Sequence, residues 1–376
     1  MGNPIMSLEK RIASVARTLF LPEFSFAKNQ FPVSGGEAEL ADHVVWVDDL
    51  LIAVQSKERK KDLPANDWFE KKVLKVGTKQ VRDTLTHLGQ YAEIIIENQR
   101  GHRFPLRPAA LARKFMVVIY DDPPSPVYRA RPNHHVSRTA GLIHLLRIAD
   151  LIDVCRTLIT LSEIASYLEF RDKIIRANRF LSERAILGQF LRGALDELPD
   201  ERNAEEFQRF RPRRSRFDIR WFFEELPDVI HTYHDGNPLA YYEILREFML
   251  LDRFELEQAR IRIGMINESL QHGTNHPPVL IATQRGTCFV WMAIPNEFVD
   301  RRFIILENTL RLGKYASRAD RCIGLAHTLR PDGQIELDMG YINDPWAPDP
   351  IAAQYLATAD PFLPFCIAHK PGYRID

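Results

Sequence analysis

Two apolar runs, Val44-Val-Trp-Val47 and Leu50-Leu-Ile-Ala-Val54, are separated by two adjacent acids, Asp48 and Asp49. No other feature of the chain restricts its fold as much. β-Branched and aromatic residues favour strands, and a two-residue polar break between such runs signals a hairpin. With Asp48-Asp49 as the turn, Val47 faces Leu50, and counting outward puts Asp42 opposite Gln55. Side chains alternate faces along a strand. Gln55 and Lys57 therefore share a face, and Asp42 lies across from them on it.

Three polar groups thus meet at the open end of an apolar ribbon, where such groups are costly to keep unless they bind something. Asp42, with an amide or backbone oxygen at position 55, offers the oxygen ligands that a hard divalent cation takes. Lys57 can orient or deprotonate a water, or neutralise charge on a phosphate. Glu39, a little upstream, offers a second carboxylate. A cation, a water and an ammonium around a phosphodiester are the equipment of a magnesium-dependent nuclease.

The pattern resembles the PD-(D/E)XK nuclease superfamily, in which one strand opens on an acid and the next carries (D/E)-x-K. Asp42 matches the first acid and Lys57 the lysine, while Gln55 stands at the second acid, as in the Mrr-like Q-x-K branch. The resemblance covers roughly residues 7 to 120. It implies a restriction-endonuclease-like mixed sheet flanked by helices, hydrolysis of DNA with Mg2+ or Mn2+, and a metal held by Asp42, Gln55 and Glu39. It also implies that the helix after Lys57 lends Lys79 or Gln80 to a substrate phosphate, and that the first helix can add an acid. Glu9 is the candidate there, although an exposed first-turn glutamate favoured by the helix dipole is the plainer reading. A setting in prokaryotic anti-phage defence is a further suggestion of the resemblance.

The rest of the N-terminal third fits that expectation. Ser7 is placed to cap an amphipathic helix over 7–20, whose stripe is Leu8, Ile12, Val15 and Leu19. Residues 22–36 carry Pro22, Pro32 and Gly35-Gly36 and read as a loop or short strand. Asn66 or Asp67 starts a long helix reaching about residue 97, and Lys114–Tyr120 reads as a buried strand. Trp46 reads as core rather than as a base-stacking platform. The expected class is α/β (α+β overall), with a nuclease-like domain over 1–125.

Beyond a Pro-rich connector at 123–136, the spacing of Leu142, Leu145, Leu146, Ala149 and Ile152 predicts a helix, and residues 137–200 read as a helical subdomain. A capping box is expected near Thr160 or Ser162. Residues 196–206 are acidic and read as a linker. In Phe207–Phe217, Arg209, Arg211, Arg213, Arg214 and Arg216 alternate with Phe207, Phe210 and Phe217, without an acid. Such a run can grip phosphates and stack on bases; the plain alternatives are a solvated linker, or arginines that pair with the acidic stretch just before. Residues 207–376 read as a C-terminal α+β domain of undisclosed role, with strands at 279–283, 288–294, 303–306 and 335–341 and a turn at Gly286.

Bulk properties exclude several classes. The 376 residues carry 50 basic and 50 acidic side chains, so nucleic-acid binding must come from local patches rather than overall charge. The four cysteines are far apart, which argues against a zinc ribbon or a disulfide framework and for a reducing, cytoplasmic setting. No apolar run is long enough for a membrane span, and no leader is expected. His272 and His276 are four apart, but Gly273 and Pro277-Pro278 point to a loop, not a zinc-binding helix. The expected partner is nucleic acid, DNA favoured over RNA, with the C-terminal domain open to a homo-oligomer or a protein partner. The rival reading is an inactive nuclease-like module that only binds nucleic acid or protein.

Overall fold

The computed structural model describes residues 6–27, 29–59, 64–122, 131–177, 180–193, 197–200, 202–213, 222, 226, 230, 241–274 and 276–362, without the side chains of 17–20 and 210–213. The described residues divide into two units, one up to position 213 and one from position 222 on. It is mixed α/β, as expected. Among the described residues no helix is long and apolar enough to cross a membrane.

The first unit is built on a six-stranded sheet. Its strands are β1 (Ser25–Phe26), β4 (His43–Val47), β5 (Leu50–Glu58), β8 (Arg113–Asp121), β10 (Gly141–Arg147) and β9 (His134–Ser137), in that spatial order. The β4–β5 hairpin has the expected register, with Val47 paired to Leu50 and His43 to Val54. Asp48 takes the left-handed turn position at φ 53°, a conformation Asp tolerates because its short side chain bonds locally. β5, β8 and β10 run parallel. Such strands are buried on both faces and read as continuous apolar runs, as Met116–Tyr120 does. Two small hairpins flank the sheet: β2 (Gln30–Val33) with β3 (Gly36–Glu39), and β6 (Ile94–Glu97) with β7 (Arg103–Leu106).

One sheet face carries Val44, Leu51, Ala53, Met116, Val118, Ile143 and Leu145. It is covered by α2 (Ala65–Trp68), a π-helical segment (Phe69–Gly77) and α3 (Thr78–Gln90). Phe69, Val73, Val81 and Leu88 point inward from that run; each such side chain contributes about 1.5–3 kcal/mol by leaving water. The other face carries Val45, Ile52, Val54, Val117 and Ile119, under Ile12 and Ala16 of α1 (Leu8–Phe20) and Val154 of α4 (Ile148–Thr157). Ser7 caps α1 through Lys10 N.

Several expectations need correction. Residues 134–147 are not connector and helix but the hairpin β9–β10, so the segment 137–200 begins inside the sheet and belongs to the first unit. The helix expected to reach residue 97 ends at Gln90, because the β-branched triplet Ile94-Ile95-Ile96 prefers a strand. It starts after Pro64, with no side-chain cap from Asn66 or Asp67. Beyond α4 come α5 (Leu161–Ala177), where Thr160 and Glu163 form the expected reciprocal cap, then α6 (Glu183–Arg192) and α7 (Asn203–Arg213). The acidic stretch read as a linker therefore enters a packed helix.

The second unit holds α8 (Tyr241–Met249), α9 (Arg253–His272), α10 (Arg302–Ser317), α11 (Pro350–Thr358) and the sheet β11 (Val279–Ala282), β12 (Thr287–Ala293), β13 (Arg321–Leu329), β14 (Ile335–Asn343). The hairpin around Gly286, at φ 73°, is as expected. Phe303–Leu306, expected to be a strand, lies in α10, with Phe303 and Ile304 exposed. β13 escaped the sequence reading altogether, and it is the strand to which both β12 and β14 pair.

Candidate functional site

The parallel strands β5, β8 and β10 end together, and β4 starts at the same edge because it runs antiparallel to β5. Ligands of α/β sheets gather at this edge. The three ribbon residues are found there. Asp42 immediately precedes β4, while Gln55 and Lys57 share the α3 face of β5 with Leu51 and Ala53.

Asp42 and Lys57 are brought together, with Lys57 Nζ 3.7 Å from Asp42 Oδ2. Both side chains are largely buried, at 12% and 19% exposure. Lys57 Nζ also donates to the Ser56 carbonyl at 2.5 Å. Burial lowers the Lys57 ammonium from its ordinary range, and Asp42, Glu9 and Glu39 oppose that shift. Asp42 Oδ2 accepts the backbone N–H of Ser56 at 2.6 Å and its hydroxyl at 2.8 Å. Ser56 is a site residue the sequence reading missed. Its role arises because the β4 ladder stops at His43, leaving the Ser56 N–H without a strand partner, and no motif marks that.

Gln55 is 4% exposed, and its Oε1 has no hydrogen-bond partner. It pairs laterally with Val118 on β8. Gly77, the last residue of the π-helical segment, sits so close to Val118 that an added Cβ would lie 3.0 Å from its Cγ1. π-Helical insertions are rare and gather at functional sites. One turn on, Gln80 has a buried Oε1 that also lacks a partner, and one turn further Thr84 donates to the Leu40 carbonyl at 2.5 Å. The stripe Gly77, Gln80, Thr84 thus runs from above Val118 to Leu40, passing the strands that carry Gln55 and Asp42. Lys79 is on the exposed side of the same turn.

Glu39, at the end of β3, makes no hydrogen bond or ion pair with Asp42, Gln55 or Lys57 and acts on Lys57 through its charge. Partial burial raises its carboxyl, and the charges of Asp42 and Glu9 raise it further. Glu9 is an exposed first-turn residue of α1, as the plainer reading held, yet its field reaches both Glu39 and Lys57. Among the described residues no group of three or more His, Cys, Asp or Glu side chains is spaced to hold a metal. The donors that fit a hard cation are oxygens: Asp42 Oδ1, since every contact of this carboxylate falls on Oδ2, and the unpartnered Gln55 Oε1.

The arginine run is only partly within view. Arg209 pairs with Glu206 at 3.4 Å and is otherwise exposed. The side chains of Arg211 and Arg213, and the whole of Arg214 and Arg216, lie outside the described residues, as do the Phe210 side chain and Phe217. Phe207 is 1% exposed, with the Arg184 guanidinium 6.0 Å from its ring, so it is core and no stacking platform. Trp46 is half-buried against Phe26 and donates to the Asp48 carbonyl at 2.8 Å. His272 closes α9 before Gly273, and His276 stands 3.6 Å from Glu268, so the two histidines share no helix face.

No protein-family model, no curated protein and no solved structure matches the chain.

Proposed function

We propose that the first unit is a divalent-cation-dependent nuclease acting on DNA. The observation that carries this reading is the buried Asp42–Lys57 pair beside an unpartnered Gln55 oxygen, at the sheet edge where ligands bind. The order of helix, hairpin, helix and strand is also what the resemblance to the PD-(D/E)XK superfamily implies.

Asp42 and Gln55 would hold Mg2+ or Mn2+, with Glu39 and Glu9 adding negative field. The cation, when bound, would polarise a phosphoryl oxygen and acidify a water. Lys57 places a positive charge where negative charge develops on the phosphate, and its lowered proton affinity also suits it to exchange a proton with water. Gln80, with Lys79 beside it, steadies a flanking phosphate. Arg209 and the arginines that follow it extend the contact along the backbone. A cytoplasmic role in prokaryotic anti-phage defence, and self-association or a protein partner through the second unit, complete the proposal.

The test is cleavage of linear and supercoiled DNA with Mg2+, Mn2+ or EDTA. Wild type is expected to cut only with a divalent cation, and Asp42→Asn and Lys57→Ala to be inactive while still folded. Binding without cutting under every metal condition would remove the enzyme reading. The hold of Ser56 on Asp42 favours one second reading. In it Asp42 only finishes the β4–β5 ladder, and the unit binds nucleic acid or protein without cleaving.

A further inference from the structure

We propose that Cys288 and Cys322 form a redox-modification site, a dithiol that closes to an intrachain disulfide on two-electron oxidation and reopens on reduction. The sheet register sets the pair up. Cys288 on β12 and Cys322 on β13 are direct partners in a parallel ladder. Both face the core beneath α10, in the same cluster as Val290, Met292 and Ala326. Partner residues on neighbouring strands have Cα atoms about 4.8 Å apart, inside the 4.4–6.8 Å that a disulfide spans. The ladder already sets the two cysteines side by side on one face of the sheet, so closure needs no strand to move past another.

Cys322 beside it lowers the proton affinity of the Cys288 thiol, burial raises that of Cys322, and the Lys314 charge favours a thiolate at both. Either thiol can make the first attack; an attack by Cys288 balances. With a peroxide as oxidant, its sulfur attacks one oxygen, the O–O bond breaks, and the thiol proton leaves in the first water. The Cys322 sulfur then displaces hydroxide from the Cys288 sulfenic acid; its own proton leaves in the second water and the S–S bond forms. Two thiols and one peroxide give one disulfide and two waters.

Both cysteines are fully buried, but each is the second residue of its strand, beside the turn at Gly286 or the loop at Asp320. Strand ends open locally at a fraction of the cost of global unfolding, and that is the route for a small oxidant.

The experiment treats the folded full chain with hydrogen peroxide or diamide, blocks remaining thiols with N-ethylmaleimide in denaturant, and maps tryptic peptides without reduction. Joined peptides carrying Cys288 and Cys322 are expected. Both thiols should be lost together and recovered with dithiothreitol, with an unchanged circular dichroism spectrum throughout. In Cys322→Ser the joined peptide should vanish and Cys288 should instead be trapped as a sulfenic acid by dimedone. The proposal is overturned by recovery of both thiols unlinked, by linkage only after unfolding, or by bridges of either cysteine to Cys155, Cys366 or a second chain. The wild-type map decides even should Cys322→Ser fail to fold.

Discussion

Asp42 answers both donors of Ser56 with a single oxygen, taking the backbone N–H at 2.6 Å and the hydroxyl at 2.8 Å. The carboxylate thereby extends the β4–β5 ladder one step beyond its last backbone pair, His43 with Val54. On Oδ2 it is a strand-end acceptor, while Oδ1 is left uncommitted.

The two roles separate by substitution. Asp42→Ala leaves the Ser56 N–H without an acceptor, and an orphaned buried donor costs about 1–3 kcal/mol. Asp42→Asn keeps a carbonyl for it and should lose clearly less in urea titrations. Both variants should lose divalent-dependent cleavage. Full activity in Asp42→Asn would reduce the residue to a cap.

A second expectation concerns acid. Burial pushes the His43 imidazole down to about 4, and Ser25 Oγ lies 3.0 Å from its Nε2. The unfolded chain takes up this proton below about 6.5, whereas the folded chain resists until about 4. Stability from His43 is thus present above pH 6.5 and drains away as pH falls to about 4, by at most about 3 kcal/mol at 1.36 kcal/mol per unit. Asp150 has the opposite sign, because burial and the Glu183 charge raise its carboxyl to about 6 and the folded state binds the extra proton. Comparing wild type with His43→Gln isolates the histidine. The variant's unfolding free energy should fall less between pH 7 and 4; parallel curves would refute the assignment.

The hairpin and its register were legible because a two-residue acidic break leaves one way to align two apolar runs, and Val47 with Leu50 follows. That alignment also located Asp42, Gln55 and Lys57. β10 was not legible. Its residues are buried on both faces, so alternation vanishes, and it passes into α4 without a turn, joining Leu142, Leu145 and Leu146 to Ala149 and Ile152 in a false helical stripe. The burial of Phe207 was hidden for a different reason. Its partner surface, α6, is defined only by tertiary packing.

That packing gives a third prediction. A Cβ on Gly188 of α6 would lie 1.9 Å from the Asn203 carbonyl oxygen at the start of α7. In an exposed helix Gly→Ala stabilises by roughly 0.5–1 kcal/mol. Here backbone meets backbone, the helices must separate, and Gly188→Ala should cost about 2 kcal/mol or more. Under the proposed contact of Arg209 on α7 with DNA, the salt slope of binding should flatten in the same variant. An unchanged or raised urea midpoint would show that α6 and α7 are not held this closely.

The sharpest test of the cation reading is Gln55→Glu. Gln55 is 4% exposed and its Oε1 has no partner, so a carboxylate there is a buried charge near Asp42, in the field that already raises Glu39. Burying an unpaired charge is expensive, and without a divalent ion the variant should melt below wild type. A cation bound between positions 42 and 55 reverses this, because a ligand that binds only the folded state stabilises it by RT ln(1 + [L]/Kd), and a second carboxylate lowers Kd. Magnesium or manganese should therefore raise the melting temperature of Gln55→Glu by more than that of wild type, and should raise that of Asp42→Ala not at all. Equal shifts in all three proteins would put the ion elsewhere, and no shift in any of them would leave Asp42 and Lys57 as a structural ion pair.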